Sequence, residues 1–278
     1  MKFELHCHSH YSRGEKIPWE SFMSPREIMQ TARKRGIFGV AITDHDNSDC
    51  WKEAKRAARE YGLVFIPGIE ISTLDGHVIG LGLNEHIESE LGLMETVDRI
   101  RSQGGLAVAP HPFDLRGLGI KNGIQHVDAV EVFNSMNIER LSNRLALSKA
   151  EEFGKRAVAG SDAHTSSMFG LAVNEIDAHD PDSALSEIMH GRVEMQTEYM
   201  PLSVMMDWVK ERLTRSYMDV MRYINSNYSA PRAWVARGML RSYILPRSRT
   251  WDSAWKLIAN FGFGCSFLYA GLRFLTYY

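Results

Sequence analysis

Short apolar runs alternate with helical stretches up to about residue 195, and this alternation constrains the fold more than any other feature of the sequence. The runs at residues 38–43 and 106–109 are apolar throughout, which is typical of parallel strands covered on both faces. Before the run at residues 38–43, a helix start at Ser24-Pro25 is followed by a helix stop at Gly36. Repeated units of this kind predict an α/β fold in which a parallel sheet closes as a barrel inside a layer of helices.

The same pattern gives expected bounds for the individual elements. Helices are expected at residues 25–35, 52–61, 95–103 and 140–153. Strands are expected at residues 3–8, 38–43, 63–66, 68–72, 77–83, 106–109, 128–133 and 156–159, with a hairpin turn at Leu74-Asp75-Gly76.

Charge is divided unevenly along the chain, although the formal net charge is only −2. Residues 1–200 hold 21 basic and 30 acidic residues, whereas residues 201–278 hold eleven basic and four acidic ones. The second part also contains four of the six tryptophans, Trp208, Trp234, Trp251 and Trp255. This split predicts two parts, a barrel at residues 1–195 and a basic, tryptophan-rich, mostly helical extension at residues 196–278 with breaks at Pro231 and Pro246.

The cysteines and the first residues of the sequence indicate where in the cell the protein is expected. The three cysteines are odd in number and far apart, so no disulfide framework is expected and a reducing, cytoplasmic location is favoured; they are Cys7, Cys50 and Cys265. The first residues lack the apolar segment of a signal peptide. Residues 257–275 are largely apolar, so association with a membrane through this segment is a further expectation.

Histidine and carboxylate side chains stand where five of the expected strands end, and that end of a β/α barrel carries the active site. They are His6 and His8, Asp44-His45-Asp46, Glu70, His111, and Asp162 with His164, while His77 begins a further strand. Five or six imidazoles and at least two carboxylates exceed the needs of one tetrahedral zinc ion. They suit two or three divalent ions, with zinc, manganese and iron all compatible with mixed nitrogen and oxygen ligands.

Taken singly, each motif also has a structural interpretation. His6 and His8 lie on the same side of a strand, where they could share a cation or make ordinary hydrogen bonds. Asp162 could cap a turn, and His77 could be a core histidine. Asp44, like Asp46, could orient the imidazole between them. Glu70 is different, because a lone carboxylate in its apolar setting is costly to bury.

In these motifs the sequence resembles the PHP family (polymerase and histidinol phosphatase). The matching pieces, in order between residues 1 and about 170, are His6-x-His8, Thr43-Asp44-His45-Asp46, Pro67-Gly68-Ile69-Glu70, His77 before Gly80-Leu81-Gly82, Pro110-His111-Pro112, and Gly160-Ser161-Asp162-Ala163-His164. The resemblance implies a distorted seven-stranded β/α barrel with two or three zinc, manganese or iron ions. It also implies hydrolysis of phosphate monoesters or phosphodiesters.

The resemblance further implies a distribution of ligands. One metal would take His6, His8, Glu70 and Asp162; a second would share Glu70 and add His77 and His111; a third would use His45 and His164. Family members often have an acidic or histidine ligand shortly after the first motif, where this chain has Ser12-Arg13-Gly14. Because arginine does not bind cations, the third site is expected to be weak, absent or completed by His10.

The expected mechanism follows from these ligands. Metal ions would lower the pKa of a bridging water and place hydroxide in line with the leaving oxygen. Arg13, Arg116 and Lys121 lie in loops that leave the ligand-bearing strands and are candidate phosphate clamps, although Arg13 could equally be a surface residue. The expected substrate is a phosphorylated small molecule, a nucleotide or an oligonucleotide.

Alternatives remain at this point. The barrel could be an amidohydrolase that cleaves C–N bonds, or a non-catalytic, metal-stabilised PHP module. The extension could pack on the barrel or on a second subunit, contact nucleic acid through its basic and aromatic residues, or rest on a membrane surface. The sequence leaves the oligomeric state open.

Overall fold

One continuous sheet of nine strands forms the centre of the computed structural model, which describes residues 1–14, 17–245 and 249–277. The strands are β1 (Lys2–Cys7), β2 (Gly39–Ile42), β3 (Val64–Thr73), β4 (Gly76–Leu81), β5 (Leu106–Ala109), β6 (Ala129–Asn134), β7 (Arg156–Gly160), β8 (Ala172–Glu175) and β9 (Glu194–Thr197). Their order in the sheet is β7-β6-β5-β4-β3-β2-β1-β8-β9.

Helices connect most of these strands and then form the end of the chain. They are α1 (Pro25–Lys34), α2 (Trp51–Tyr61), α3 (Leu93–Ser102), α4 (Leu141–Glu152), α5 (Pro181–His190), α6 (Leu202–Arg215), α7 (Tyr217–Asn227), α8 (Ala230–Ile244) and α9 (Arg249–Tyr277), with a 3-10 helix at Lys121–His126. At the start of α1, Ser24 accepts a hydrogen bond from the Glu27 backbone N–H, and the Glu27 carboxylate accepts one from Ser24 N. This reciprocal cap confirms the predicted helix start.

A parallel sheet was predicted, but the sheet is mixed. The pairs β1–β2, β2–β3, β5–β6 and β6–β7 are parallel, whereas β4 runs antiparallel to β3 and β5, and β8 runs antiparallel to β1 and β9. The short Leu74–Gly76 turn accounts for the β3–β4 pair, because a connection that short can join only antiparallel strands.

The sheet closes almost completely, because the end of β7 meets β1. His8 N donates to Ala163 O at 2.9 Å, which links the segment after β7 to the end of β1. The Asn174 side chain of β8 accepts from Ala159 N at 2.9 Å and donates to Ala159 O at 2.7 Å, so it substitutes for a strand partner of β7. The result is the predicted distorted β/α barrel.

The predicted count of seven strands is too low, because β8 and β9 extend the sheet beyond β1. All four residues of β9 are exposed, and two of the four residues of β8, Asn174 and Glu175, are polar. Neither segment therefore has the apolar run by which the other strands are recognised.

A second correction concerns β3, which was expected as two strands separated at Pro67. Parallel pairing with β2 ends at Ile42 and Pro67, and antiparallel pairing with β4 begins at Gly68 and Leu81. Pro67 lies where the partner changes, and a residue without an N–H is tolerated there. As a consequence Glu70 lies inside β3, on the part of the strand that extends past β2, rather than after the strand's end.

The helical extension packs on the barrel. Trp208 of α6 belongs to the same buried cluster as Ile28 of α1 and Ala54 of α2. Arg273 of α9 donates to Asp114 O, in the loop after β5, at 2.8 Å. Pro231 lies in the first turn of α8, as expected from its effect on helices, whereas the predicted break at Pro246 falls outside the described residues. Within the described part of the chain, no helix is long and apolar enough to cross a membrane.

Replacing Asn174 by alanine should destabilise the barrel seam. The change leaves the buried N–H and C=O of Ala159 without these partners, so we expect the free energy of unfolding to fall by about 2–4 kcal/mol. The matched control is Asn227→Ala on the exposed part of α7, with an expected change below about 0.5 kcal/mol. Urea denaturation measures both, and equal effects in the two variants would contradict this role of Asn174.

Candidate metal centre

The buried carboxylate of Glu70 faces five imidazoles. Its Oε2 lies 3.2 Å from His6 Nε2, 3.3 Å from His8 Nε2 and 3.4 Å from His45 Nδ1. Its Oε1 lies 2.7 Å from His77 Nδ1 and 2.9 Å from His111 Nε2. Each oxygen thus faces its own group of histidines. We call these residues, together with Asp162 and His164, the Glu70 cluster.

Asp162 extends the cluster on the β7 side. Its Oδ1 lies 3.4 Å from His8 Nε2 and 3.6 Å from His164 Nδ1, and its Oδ2 lies 3.6 Å from Arg116 Nη2. Asp162 and His111 have φ angles of 51° and 29°, a region that side-chain-bearing residues rarely occupy. Strain of this kind is typical of functional sites, where the surrounding structure holds the residue in place.

The distances, and the protonation states of two of the imidazoles, suit divalent cations. Two ligand atoms that bind one cation at about 2.1 Å lie about 3.0–3.5 Å apart. Three groups have ligand atoms within 4.8 Å of one another: His6, His8 and Glu70; His8, His45 and His164; and His45, Glu70 and His77. Burial lowers the pKa of His45 to about 3 and that of His164 to about 3, so both present the neutral, metal-binding form.

The charge on Glu70 is maintained by its neighbours. Burial by itself would raise the pKa of this carboxyl, but the imidazoles of His6 and His77, whose own pKa values are raised, hold the pKa of Glu70 well below its usual value. Glu70 is therefore an anion in a site without exposure to water, which a bound cation would stabilise.

Glu131 of β6 orients His6 and was missed in the sequence. Its Oε1 lies 2.9 Å from His6 Nδ1, and its Oε2 accepts from His111 N at 2.8 Å. A carboxylate on Nδ1 leaves Nε2 free to face the cluster. Gly160 makes room for this pair, since a Cβ there would lie 2.7 Å from His6 Cβ. The available signal was a carboxylate inside an apolar strand, the same signal that singled out Glu70.

Glu20 is a second residue that the sequence did not indicate. Its Oε2 lies 3.7 Å from His45 Nε2, is buried, and accepts no hydrogen bond from any residue that the structure describes. Its Oε1 accepts from Arg212 Nη2 at 3.0 Å, and its backbone carbonyl accepts from Trp208 Nε1 at 2.8 Å. A buried carboxylate oxygen without a donor, directed at a neutral imidazole, fits a cation position between them.

Other expected residues are placed differently. The Asp44 carboxylate accepts from Ser9 N and Ser9 Oγ, each at 2.6 Å, so it fixes the turn after β1 instead of the His45 imidazole. The Asp46 carboxylate likewise accepts from the backbone N–H of Ser72.

Of the other candidate residues, one lies beside the Glu70 cluster and the rest lie away from it. Arg116 reaches the cluster through Asp162, and Asp114 holds its Nε at 3.0 Å. Arg13 is exposed and lies 4.2 Å over the Trp19 ring, while the His10 ring stacks on Tyr11. Lys121 begins the 3-10 helix with an exposed side chain.

Comparisons with known proteins agree with this fold. An uncharacterized protein from Methanocaldococcus jannaschii is 41% identical over 156 residues, which cover 54% of this chain and 91% of the relative. The model of the PHP-associated family PHP_C matches residues 140–193. A solved two-domain protein from Bacteroides vulgatus, described as containing a predicted PHP-like metal-dependent phosphoesterase, has the same barrel fold, with a TM-score of 0.57 at 13% identity and coverage of 75% of this chain and 69% of that one.

This chain belongs to the PHP family of metal-dependent phosphoesterases. The resemblance in the sequence motifs is thereby confirmed. Another relative is a 5′-3′ exoribonuclease from Haemophilus influenzae, 30% identical over 133 residues that cover 46% of this chain and 45% of the exoribonuclease.

Replacing Glu131 by glutamine should weaken metal binding without removing any member of the Glu70 cluster. The neutral amide no longer polarises His6, so we expect the affinity for Mn²⁺ or Zn²⁺ to fall about 10- to 100-fold. Competition with a chromophoric chelator measures the affinity, and Glu194→Gln on the exposed strand β9 is the control. Unchanged affinity in Glu131→Gln would show that Glu131 does not orient a ligand.

Proposed function

We propose that the protein hydrolyses phosphate esters with two or three divalent cations held by the Glu70 cluster. The observation that carries this proposal is the division of five imidazoles between the two oxygens of one buried carboxylate. Such a carboxylate can bridge two cations, and paired cations are typical of enzymes that cleave phosphate esters.

The proposed ligands form three sets. The first cation would be held by His6, His8, Glu70 and Asp162, the second by Glu70, His77 and His111, and the third by His45, His164 and Glu20. Glu20 replaces the ligand that the family resemblance implied near Arg13, and it supports a third site that is complete without His10.

The protein's own residues would bind and orient the substrate. Bound divalent cations would supply Lewis acidity and activate a water molecule. The exposed guanidinium of Arg116, held by Asp114 and directed at Asp162, can donate to the phosphate oxygens and fix the phosphorus atom beside the cluster. The neutral imidazoles of His45 and His164 keep the third set free of repulsion toward a cation.

The class of substrate is a phosphorylated small molecule, a nucleotide or an oligonucleotide. The exoribonuclease among the relatives supports nucleotide-related esters, although the similarity covers less than half of either chain. Arg116 would contact a phosphate group in any of these substrates, so it does not choose between them.

The direct test is a panel of phosphate esters given to metal-stripped protein refilled with manganese, zinc or iron. We expect metal-restored turnover, and we expect His8→Ala and Asp162→Ala to reduce kcat/KM more than about 100-fold, because each removes a ligand of the first cation. His190→Ala, an exposed histidine on α5, is the matched control. Stoichiometric metal binding without turnover of any ester would favour a non-catalytic scaffold.

The role of Glu20 is tested by counting metal ions. Glu20→Gln should lose one bound ion per chain, or bind it at least about tenfold more weakly, while the ions at the other two positions remain. The control is Glu95→Gln, an exposed glutamate that is also paired with an arginine. Elemental analysis after dialysis at defined free metal gives the stoichiometry, and equal stoichiometry in the two variants would exclude Glu20 as a ligand.

A further inference from the structure

We propose that the substrate is a phosphate ester of a long-chain apolar alcohol, and that its chain lies in a cavity of about 880 Å³ beside the metal centre. This inference rests on the proposed hydrolysis of phosphate esters and narrows its substrate class. The cavity lies between α6, α8 and α9 of the helical extension and the loops that follow β5 and β6.

The walls that the extension contributes are mainly apolar. They include Met205 and Val209 of α6, Leu240 of α8, and Ile258 and Phe263 of α9. The volume is in the range of cavities that enclose small organic ligands, which are about 300–1,000 Å³. Because α9 forms one wall, the cavity is formed only when the extension packs against the barrel.

Three residues connect the cavity to the metal centre. Arg116 lines the cavity, and its guanidinium is 3.6 Å from Asp162. Trp208 also lines it, and its ring lies 4.8 Å from the ring of His164. Arg212 lines it and donates to Glu20. A phosphate bound between the cluster and Arg116 would therefore direct its ester oxygen, and the alcohol attached to it, toward the cavity.

The polar groups in the walls stand on both the barrel side and the extension, and most of them already have partners; the indole N–H of Trp255 is buried and has no hydrogen-bond partner in the described part of the chain. Asn137 donates to Asn143, and Glu139 accepts from Ser142 N. A sugar or a nucleobase in the apolar part would lose its hydrogen bonds to water without replacing them, which is costly. An alkyl or prenyl chain gains free energy from the same burial. The walls therefore favour an apolar alcohol over a nucleoside.

The reaction itself is an ordinary hydrolysis. The oxygen of water forms a bond to phosphorus, the ester P–O bond breaks, and the alcohol leaves with a proton from that water. The products are inorganic phosphate and the free apolar alcohol.

Chain length is the first test. With alkyl phosphates from ethyl to octyl, each below its micelle concentration, we expect kcat/KM to rise about two- to fourfold for each added methylene until the cavity is filled. A flat series, with all lengths hydrolysed equally, would overturn the inference and leave the proposed function intact. Absence of turnover for every ester would instead contradict the proposed function.

Two glycines of α9 supply matched variants. Gly262 lines the cavity and Gly264 does not, they lie about 200° apart around the helix, and a Cβ at either position would have no neighbour within 4 Å. Gly262→Phe should lower kcat/KM for octyl phosphate about tenfold or more and leave ethyl phosphate unchanged. Gly264→Phe should change neither value. Equal effects of the two variants, or an equal loss for both substrates, would contradict the cavity as the chain site.

Binding measured without turnover keeps the inference testable if catalysis fails. Calorimetry with octylphosphonate and ethylphosphonate should show at least about tenfold tighter binding of the longer ligand to the metal-loaded protein, and Gly262→Phe should abolish the difference. Octanol binding as tightly as octylphosphonate would show that the cavity is not linked to the metal centre.

A final comparison identifies the source of the substrate. Monomeric octyl phosphate represents a free amphiphile, and hexadecyl phosphate in phosphatidylcholine vesicles represents a lipid surface. Turnover of either long-chain ester supports the proposed substrate class, and the ratio of the two rates shows which source is preferred. Hydrolysis of ethyl phosphate with no turnover of either long-chain ester would overturn the inference.

Discussion

The rest of the site depends on the burial of one charge, the carboxylate of Glu70, among five imidazoles. An anion without exposure to water is stable only beside opposite charge or a cation, so the barrel must bring those imidazoles to it. Closure of the sheet does this on one side, because the bond from His8 N to Ala163 O brings the loop after β7 against β1. Asp162 and His164 reach the cluster through that seam.

The helical extension is joined to the same centre. Trp208 packs on His164 and holds the backbone of Glu20, while Arg212 holds the Glu20 carboxylate. The face of α6 that covers the barrel thus also positions a carboxylate near His45. Trp208 and Arg212 also line the apolar cavity, so a single docking arrangement connects the metal centre, a candidate third site and a candidate chain site.

Elements with strong local signals were predicted well. The reciprocal cap between Ser24 and Glu27 starts α1, and the apolar run 106–109 became β5 without change of bounds. Elements without such signals were missed. The exposed strand β9 has no apolar run, and β3 continues through Pro67 because its partner changes there, which depends on where β4 lies in the sheet.

The barrel class, the family motifs and the histidines and carboxylates that gather at one end could be predicted from the sequence, since strand ends in such a barrel meet at one edge. Only the tertiary structure brought in Glu131, 125 residues from His6, and the segment at Glu20, 188 residues from Trp208. It also brought Arg116 to the cluster and left Arg13 over Trp19. The physical reason is that local patterns fix helices, strands and their order, whereas contacts between distant segments depend on how the sheet closes and where the helices pack.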